Sequence, residues 1–469
     1  MVRLTLSVLL LVCVLPCIAI AKLTPAQLEQ VETWIATPSD ERSPLASLKL
    51  PDQLSKQEAV KAAAQLWKLV AATDNGKDSP LGELPKKLSD QIKDGEDGKV
   101  MVTSGSLRLG KHIMPFSVIR REKEAPAKAG RALFFCLHGG GQHGPAKGPH
   151  SWPVNSREFE TQFFLAMRAY PPEGIYWIPR MADDRLGRWW HAHNQQAIDQ
   201  VIDHALVHWG VNPNRVYLLG ISEGGYGTDI LAPFMADRFG GACAMAAGVG
   251  LGNPPENLRN LAFRTDVGEK DTMFDRQKLA VAFHKRLDEL HAEDPNGYTH
   301  SINLQKGRGH GIDYREGPKW MAEHERTPFP KKIVWIDKPL HGKRRGQFYW
   351  IRRLDDDREG IQRIVALVDR DENRIDVTAE RIEVEGGGGF ETHQSGGEET
   401  GAEPLTGESI ELLLSDALVD LDRPVKIALN GEKHTTIEPI RSAATLLESL
   451  IARPDQSLAA TVRVDLGGE

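Results

Sequence analysis

The residues best suited to chemistry form four short clusters along the middle of this sequence. Gly220-Ile221-Ser222-Glu223-Gly224-Gly225 follows the apolar run Val216–Leu219 and precedes a helix-like stretch. A serine on a tight strand-to-helix turn needs small residues two positions before and after it, because the strained turn leaves no room for side chains there. Gly220 and Gly224 meet that need, and although a chain with 44 glycines will contain GxSxG by accident, the placement between strand and helix gives the match weight. Upstream, Ala132–Leu137 ends in His138-Gly139-Gly140-Gly141. Consecutive glycines after a buried strand let backbone N–H groups converge on one point, as an oxyanion hole requires. A phosphate-cradling loop is the competing reading, but the Lys-Ser/Thr of a P-loop and the dinucleotide spacing are both missing. Downstream, His310 in Gly307–Gly311 is the candidate base, and Asp271 in Val267–Asp271 its candidate orienting acid. Asp266 and Asp275 compete with Asp271, but the first falls within an expected strand and the second opens an expected helix. Ser222, Asp271 and His310 then stand in chain order as nucleophile, acid and base.

Two features near these clusters bear on a substrate pocket. Trp189-Trp190-His191-Ala192-His193 follows the strand at Gly174–Ile178, and such loops sit where α/β sheets bind ligands. The tryptophans form either an aromatic wall for a sugar or aryl group, or packing for the next helix. His191 and His193 with His143 or His150 lack a matching third-ligand motif, so no metal site is expected. Glu223 is an unusual charge beside the nucleophile. It either reads a cationic or hydroxylated substrate or faces solvent.

The elements that must position these residues alternate. Strands are expected at Arg131–Leu137, Gly174–Ile178, Val216–Leu219, Leu261–Val267 and Thr299–Leu304, with helices at Asn194–Trp209, Tyr226–Phe239 and Arg276–Ala292. Such alternation builds a mostly parallel sheet with helices on both faces, an α/β fold spanning residues 99–328. Residues 22–98 read as a helical leader and a Gly-, Asp-, Lys- and Pro-rich linker over Asp74–Gly98. Thr24 with Gln27, and Ser55 with Glu58, have capping-box spacing, and Val60, Ala63, Trp67, Val70 and Ala71 share a helical stripe. Residues 329–469 change to short alternating runs, among them Phe348–Ile351 and Val425–Leu429, with a hairpin signal at Asn430-Gly431 and a glycine-rich stretch at Gly386–Gly389 and Gly396–Gly401. They read as a β-sandwich-like accessory domain. Alternation places Phe348 and Trp350 on one face and Tyr349 on the other, favouring packing over carbohydrate binding by Trp335, Tyr349 and Trp350.

Composition bounds the rest. Hydrophobic residues make up 40% and charged residues 26%, an ordinary globular balance. The 58 basic and 65 acidic residues leave a net charge of −7, with no electrostatic footprint for nucleic acid. Arg3, the apolar run Leu4–Leu15 and Ala19-Ile20-Ala21 read as a signal peptide cleaved after Ala21. The run is short for a membrane span of about 20 residues, so secretion or periplasmic export without stable membrane insertion is expected. Cys136 and Cys243 then remain, in apolar stretches that favour buried free thiols.

Taken together, residues ~100–325 resemble the α/β-hydrolase superfamily. The likeness is greatest to secreted serine esterases related to dienelactone hydrolases, polyester depolymerases and prolyl-oligopeptidase-type domains. It rests on His138–Gly141, Gly220–Gly225, Gly268–Asp271 and Gly309–Gly311, in order. The resemblance implies a Ser222-His310-Asp271 triad acting through an acyl-enzyme on a small-molecule or carbohydrate-linked ester, with no metal or organic cofactor. The oxyanion would be held by N–H groups of Glu223 and of Gly140 or Gly141. The family's strand order would place one strand between those bearing Cys136 and Cys243, beyond the ~7 Å that a disulfide spans. A peptidase of prolyl-oligopeptidase type, lacking here any preceding β-propeller, and a non-catalytic binding protein on the same scaffold are the rival functions.

Overall fold

A computed structural model describes residues 23–73, 84–88, 92–95, 98–122, 130–355, 357–385, 397–405, 410–432 and 434–467. The expected signal segment, Gly386–Gly389 and Gly396 lie outside the described residues.

The centre of the molecule is a nine-stranded sheet. Its strands are β1 (Ile92–Gly95), β2 (Gly98–Leu109), β3 (His112–Glu122), β4 (Arg131–Leu137), β5 (Gly174–Pro179), β6 (Val211–Ile221), β7 (Gly241–Met245), β8 (Ala262–Gly268) and β9 (His300–Gln305), in the order β1-β2-β3-β5-β4-β6-β7-β8-β9. The strands from β5 to β9 are parallel; β1, β2 and β3 add antiparallel pairs at one edge. Parallel strands are covered on both faces, which explains why Phe134, Phe135, Cys136, Leu218, Leu219 and Cys243 are all buried. Cys136 on β4 and Cys243 on β7 are separated by β6 and are free thiols.

The leader contributes α1 (Pro25–Ala36) and α2 (Lys56–Thr73). Both capping boxes form: Thr24 Oγ1 accepts from Gln27 N, and Ser55 N donates to Glu58 Oε2 at 2.8 Å. The buried stripe of α2 is Ala59, Ala62 and Leu66, one position round from the expected stripe, and Val60 is exposed. The expected linker is not wholly a linker. β1 lies within it, and Leu84 and Leu88 pack into the central core while the Pro85 carbonyl accepts from Trp209 Nε1 at 2.9 Å. Short apolar contacts within a polar stretch leave no periodicity to read.

The helices around the sheet are α3 (Pro153–Arg168), α4 (Ala192–His208), α5 (Glu223–Phe234), α6 (Arg276–Glu293) and α7 (Glu316–Met321). Helix α3 was not among the expected helices; its buried positions include the polar Asn155 and Gln162.

Beyond Pro330 the strands β10 (Lys332–Asp337), β11 (Gln347–Phe348), β12 (Ile351–Arg353), β13 (Ile361–Asp369), β14 (Arg374–Glu385), β15 (Glu398–Pro404), β16 (Ile410–Leu414), β17 (Val425–Leu429), β18 (Thr435–Ile437) and β19 (Val462–Asp465) form two further sheets. One has the order β10-β13-β14-β17-β18 with β15 on β14, the other β11-β12-β16-β19. The expected strand Phe348–Ile351 is instead a tight hairpin. Phe348 pairs with Ile351, and Tyr349 takes a left-handed φ of 52°. All four side chains are buried in the same core as β4 and β6, and Trp350 Nε1 donates to the Pro330 carbonyl. Helix α8 (Ala443–Ala452) buries Leu446, Leu447 and Leu450 against Val31, Ala62 and Leu66 of α1 and α2. Helices α1, α2 and α8 therefore share one core.

Buried ion pairs tie the later strands to the central sheet. Arg326 meets Asp455 at 2.6 Å with both side chains almost fully buried, and Arg453 pairs with the fully buried Asp237.

Candidate active site

Ser222 sits between β6 and α5 with φ 54° and ψ −113°, a conformation that L-residues rarely hold. Its neighbours explain the glycines. A Cβ on Gly220 would lie 2.0 Å from the Gly224 carbonyl oxygen, and one on Gly224 would lie 2.1 Å from that of Leu137. The turn is pinned by Ser222 N donating to the Met245 carbonyl at 2.9 Å.

His310 Nε2 lies 3.0 Å from Ser222 Oγ, and His310 Nδ1 lies 2.7 Å from Asp271 Oδ2. Asp271 is 3% exposed, and its Oδ1 accepts from Arg276 Nη1 at 3.0 Å. Arg276 Nε in turn contacts the Tyr226 hydroxyl at 3.0 Å. The acid and base loops meet because Gly268 has no side chain, since a Cβ there would lie 2.0 Å from the Gly309 carbonyl oxygen. The rival acids are elsewhere: Asp266 is bound by Arg264, and Asp275 is exposed beside Lys278.

The His138–Gly141 loop passes against the serine, and a Cβ on Gly139 would lie 3.4 Å from that of Ser222. His138 is buried and its pKa is lowered to about 3 by desolvation. Its Nε2 accepts from Met181 N at 3.0 Å, which leaves Nδ1 to donate to the Gly139 carbonyl. Gly140 and Gly141 hold φ of 94° and 122°, values suited to glycine. The expectation that Gly141 serves as a donor to substrate is corrected: its N–H donates to Asn155 Oδ1 at 2.9 Å. Asn155 Nδ2 donates back to the Gly141 carbonyl and also to Asp184 Oδ1 at 2.7 Å. Burial works to raise the Asp184 carboxyl, but hydrogen bonds from Arg180 and Asn155 hold it below the usual range. Asn155, Asp184 and Arg180 thus brace the loop. Sequence reasoning missed all three, because nothing local marks them.

The expected aromatic wall divides. Trp189 is 1% exposed, its Nε1 donating to the His138 carbonyl at 3.0 Å, so it is a core residue and not a wall of a pocket. Trp190 is partly buried under the Arg188 guanidinium, 5.6 Å from its ring centre. His191 stacks on His341 with ring centres 4.1 Å apart, and desolvation lowers its pKa to about 4. It caps the contact with the later strands rather than standing beside Ser222 in the hydrogen-bond chain. Glu223 does not face solvent. It is 5% exposed, and its Oε2 pairs with Arg188 Nη1 at 2.6 Å. Met273 and Phe274, two and three residues after Asp271, are exposed apolar side chains that sequence reasoning passed over.

Among the described residues no group of three His, Cys, Asp or Glu side chains is arranged to hold a metal ion. No helix among them is long and apolar enough to cross a membrane.

The sheet order, the strained serine between β6 and α5, and the Asp-His-Ser hydrogen-bond chain have the arrangement of an α/β-hydrolase fold. No protein-family model and no curated protein matches the chain. Among solved structures it is similar to a thermostable esterase, at 16% identity over 48% of this chain and 63% of that chain, with a TM-score of 0.37. It is also similar to a ferulic acid esterase, at 15% identity, 48% and 95% coverage and a TM-score of 0.33. A third is the feruloyl esterase module from Clostridium thermocellum complexed with sinapinate, at 10% identity, 48% and 89% coverage and a TM-score of 0.33. The chain spans less than two thirds of the length of the thermostable esterase. The reading of the fold rests on the sheet and the site geometry, not on these likenesses.

Proposed function

We propose that this chain is a serine hydrolase that cleaves a carboxylic ester through an acyl-enzyme. The observation that carries this reading is the hydrogen-bond chain from Asp271 Oδ2 through His310 to Ser222 Oγ, at 2.7 and 3.0 Å, on a strained turn. His310 Nε2 takes the proton from Oγ as the oxygen attacks the acyl carbon. Asp271 fixes the tautomer and stabilises the imidazolium, and the same proton then passes to the leaving alcohol. The tetrahedral oxyanion is received by the N–H groups of Glu223 and Gly140, now that Gly141 is committed to Asn155. Losing one such donor costs about 10²–10³ in rate. Water, activated by His310, releases the acid. None of these steps requires a metal or organic cofactor. The substrate is a small-molecule or carbohydrate-linked ester, met by Trp190 and by the exposed Met273 and Phe274. Residues 1–21 direct export to a secreted or periplasmic location, which amino-terminal sequencing of the protein from its native host would test.

The deciding experiment is labelling with a fluorophosphonate probe, beside Ser222→Ala and a panel of p-nitrophenyl acyl esters and matched anilides. Labelling that vanishes in the variant, with ester turnover well above anilide turnover, is expected. Faster anilide cleavage would move the assignment to a peptidase. A folded wild-type protein that neither labels nor turns over any ester would leave the binding-protein reading.

A further inference from the structure

Glu223 opens α5, so its backbone joins directly to Ser222. Its side chain is buried, Oε2 is held by Arg188 Nη1 at 2.6 Å, and Oε1 has no hydrogen-bond partner among the described residues. The carboxylate packs on the glycine loop, for a Cβ built on Gly141 would meet Oε2 at 3.1 Å and Cδ at 3.2 Å. The arginine loop closes the other side of the same peptide, where a Cβ on Gly187 would lie 2.3 Å from the Gly141 carbonyl oxygen. Glu223, Gly141 and the Gly187–Arg188 turn are therefore one packed unit beside the nucleophile. Burial raises the Glu223 carboxyl to about 7, and Arg188, with Arg276 farther round, favours its ionised form.

A buried carboxylate is badly placed there. Negative charge develops in the transition state at the N–H groups of Glu223 and Gly140, and a second negative charge alongside opposes it. We propose that Arg188 is a positioning residue whose charge cancels that of Glu223 where the oxyanion forms, while holding the carboxylate against the glycine loop. This rests on the serine hydrolase reading above. Arg188 keeps 40% of its side chain exposed, so it is no core residue, and its contact with Glu223 is electrostatic and directional. A unit charge a few ångströms from a developing oxyanion, at an effective dielectric of about 20, changes the rate by on the order of 10²-fold.

The test is a cycle of wild type, Arg188→Gln, Glu223→Gln and the double variant. Fluorophosphonate labelling is read together with kcat and KM for a neutral short-chain ester between pH 6 and 10. Without Arg188 the buried carboxyl of Glu223 holds its proton more tightly still, so the full effect of Arg188→Gln, a kcat about 10²-fold lower with little change in KM, is expected at the alkaline end, near pH 10. That loss shrinks towards pH 6, as the carboxyl of Glu223 takes up a proton. The double variant, which has no charge left to cancel, recovers kcat to within about tenfold of wild type. Arg188→Lys keeps the charge and is expected to hold kcat within the same range. A structural role alone would give neither the rescue nor the pH dependence. A double variant as slow as Arg188→Gln overturns the proposal, as does a Lys variant that loses 10²-fold. A defect confined to KM for esters carrying a carboxylate also overturns it, and would make Arg188 a substrate-binding residue instead. Wild-type protein that fails to label removes the serine hydrolase reading and this proposal with it; labelling without rescue removes the proposal alone.

Discussion

Replacing Asp271 by asparagine tests the hydrogen-bond chain at its least exposed link. The carboxylate uses both oxygens, Oδ2 for His310 at 2.7 Å and Oδ1 for Arg276 at 3.0 Å. An amide has the same shape but only one acceptor. Arg276 carries donors and no acceptor, so it claims the amide oxygen and turns the NH₂ group towards His310. Nδ1 must then accept, and the imidazole proton moves to Nε2, the atom that has to receive the proton from Ser222. A wrong tautomer of this kind costs about 10⁴ in kcat, or about 5 kcal/mol of transition-state stabilisation. The assay is kcat/KM for p-nitrophenyl acetate together with the rate of fluorophosphonate labelling, with the melting temperature as a check on folding. Arg276→Met in the same chain frees the amide oxygen to face His310, and at least a tenfold recovery is expected. Asp275→Asn, at an exposed side chain bonded to Lys278, should change the rate less than about twofold. A folded Asp271→Asn variant that loses less than tenfold would refute the reasoning, as would an equal loss from Asp275→Asn.

Other outcomes follow from burial. His138 and His284 are buried with pKa values lowered to about 3, chiefly by desolvation. The unfolded chain therefore binds protons that the folded chain refuses once the pH falls below about 6.5. Each histidine should then remove roughly 1.4 kcal/mol of stability per pH unit, down towards pH 3. Urea unfolding at pH 7 and pH 5 measures this, and a slope unchanged in His284→Leu would contradict it. Asp237→Ala leaves the buried guanidinium of Arg453 with only the Asp455 carboxylate, at 4.0 Å, an imbalance that costs up to about 3 kcal/mol. A melting temperature within a degree of wild type would show that the pair does not hold the two sheets together. A chain ended before residue 329 should be insoluble, because Trp335, Phe348 and Trp350 complete the core around β4 and β6. Recovery of a soluble, monomeric and labelled fragment would show that the sheets are separable.

Much of the site was legible because its constraints are local. A serine turn flanked by Gly220 and Gly224, and the ordering of Ser222, Asp271 and His310, follow from backbone room and chain order. The choice of Asp271 over Asp266 needed only the expected end of β8. What stayed hidden is held by partners distant in sequence. Asn155 is a buried polar residue on α3, far in sequence from the glycine loop, so the claim of Asn155 on Gly141 could not be foreseen. Glu223 was open to several readings until Arg188 appeared beside it. The run Phe348–Ile351 has strand composition throughout, and only the left-handed Tyr349 shows that it turns. Trp189 and Trp190 are identical neighbours in sequence, and only the fold decides that one is core and the other partly open.

The core shared by α1, α2 and α8 has a consequence in time. Val31, Ala62 and Leu66 are synthesised about 380 residues or more before Leu446, Leu447 and Leu450, which cover them. Closure of so long a loop is slow, and surface left open meanwhile is prone to aggregation. α1 and α2 must wait for all of that intervening length before their apolar face is covered. Until then the nascent chain carries an uncovered apolar face on α1 and α2.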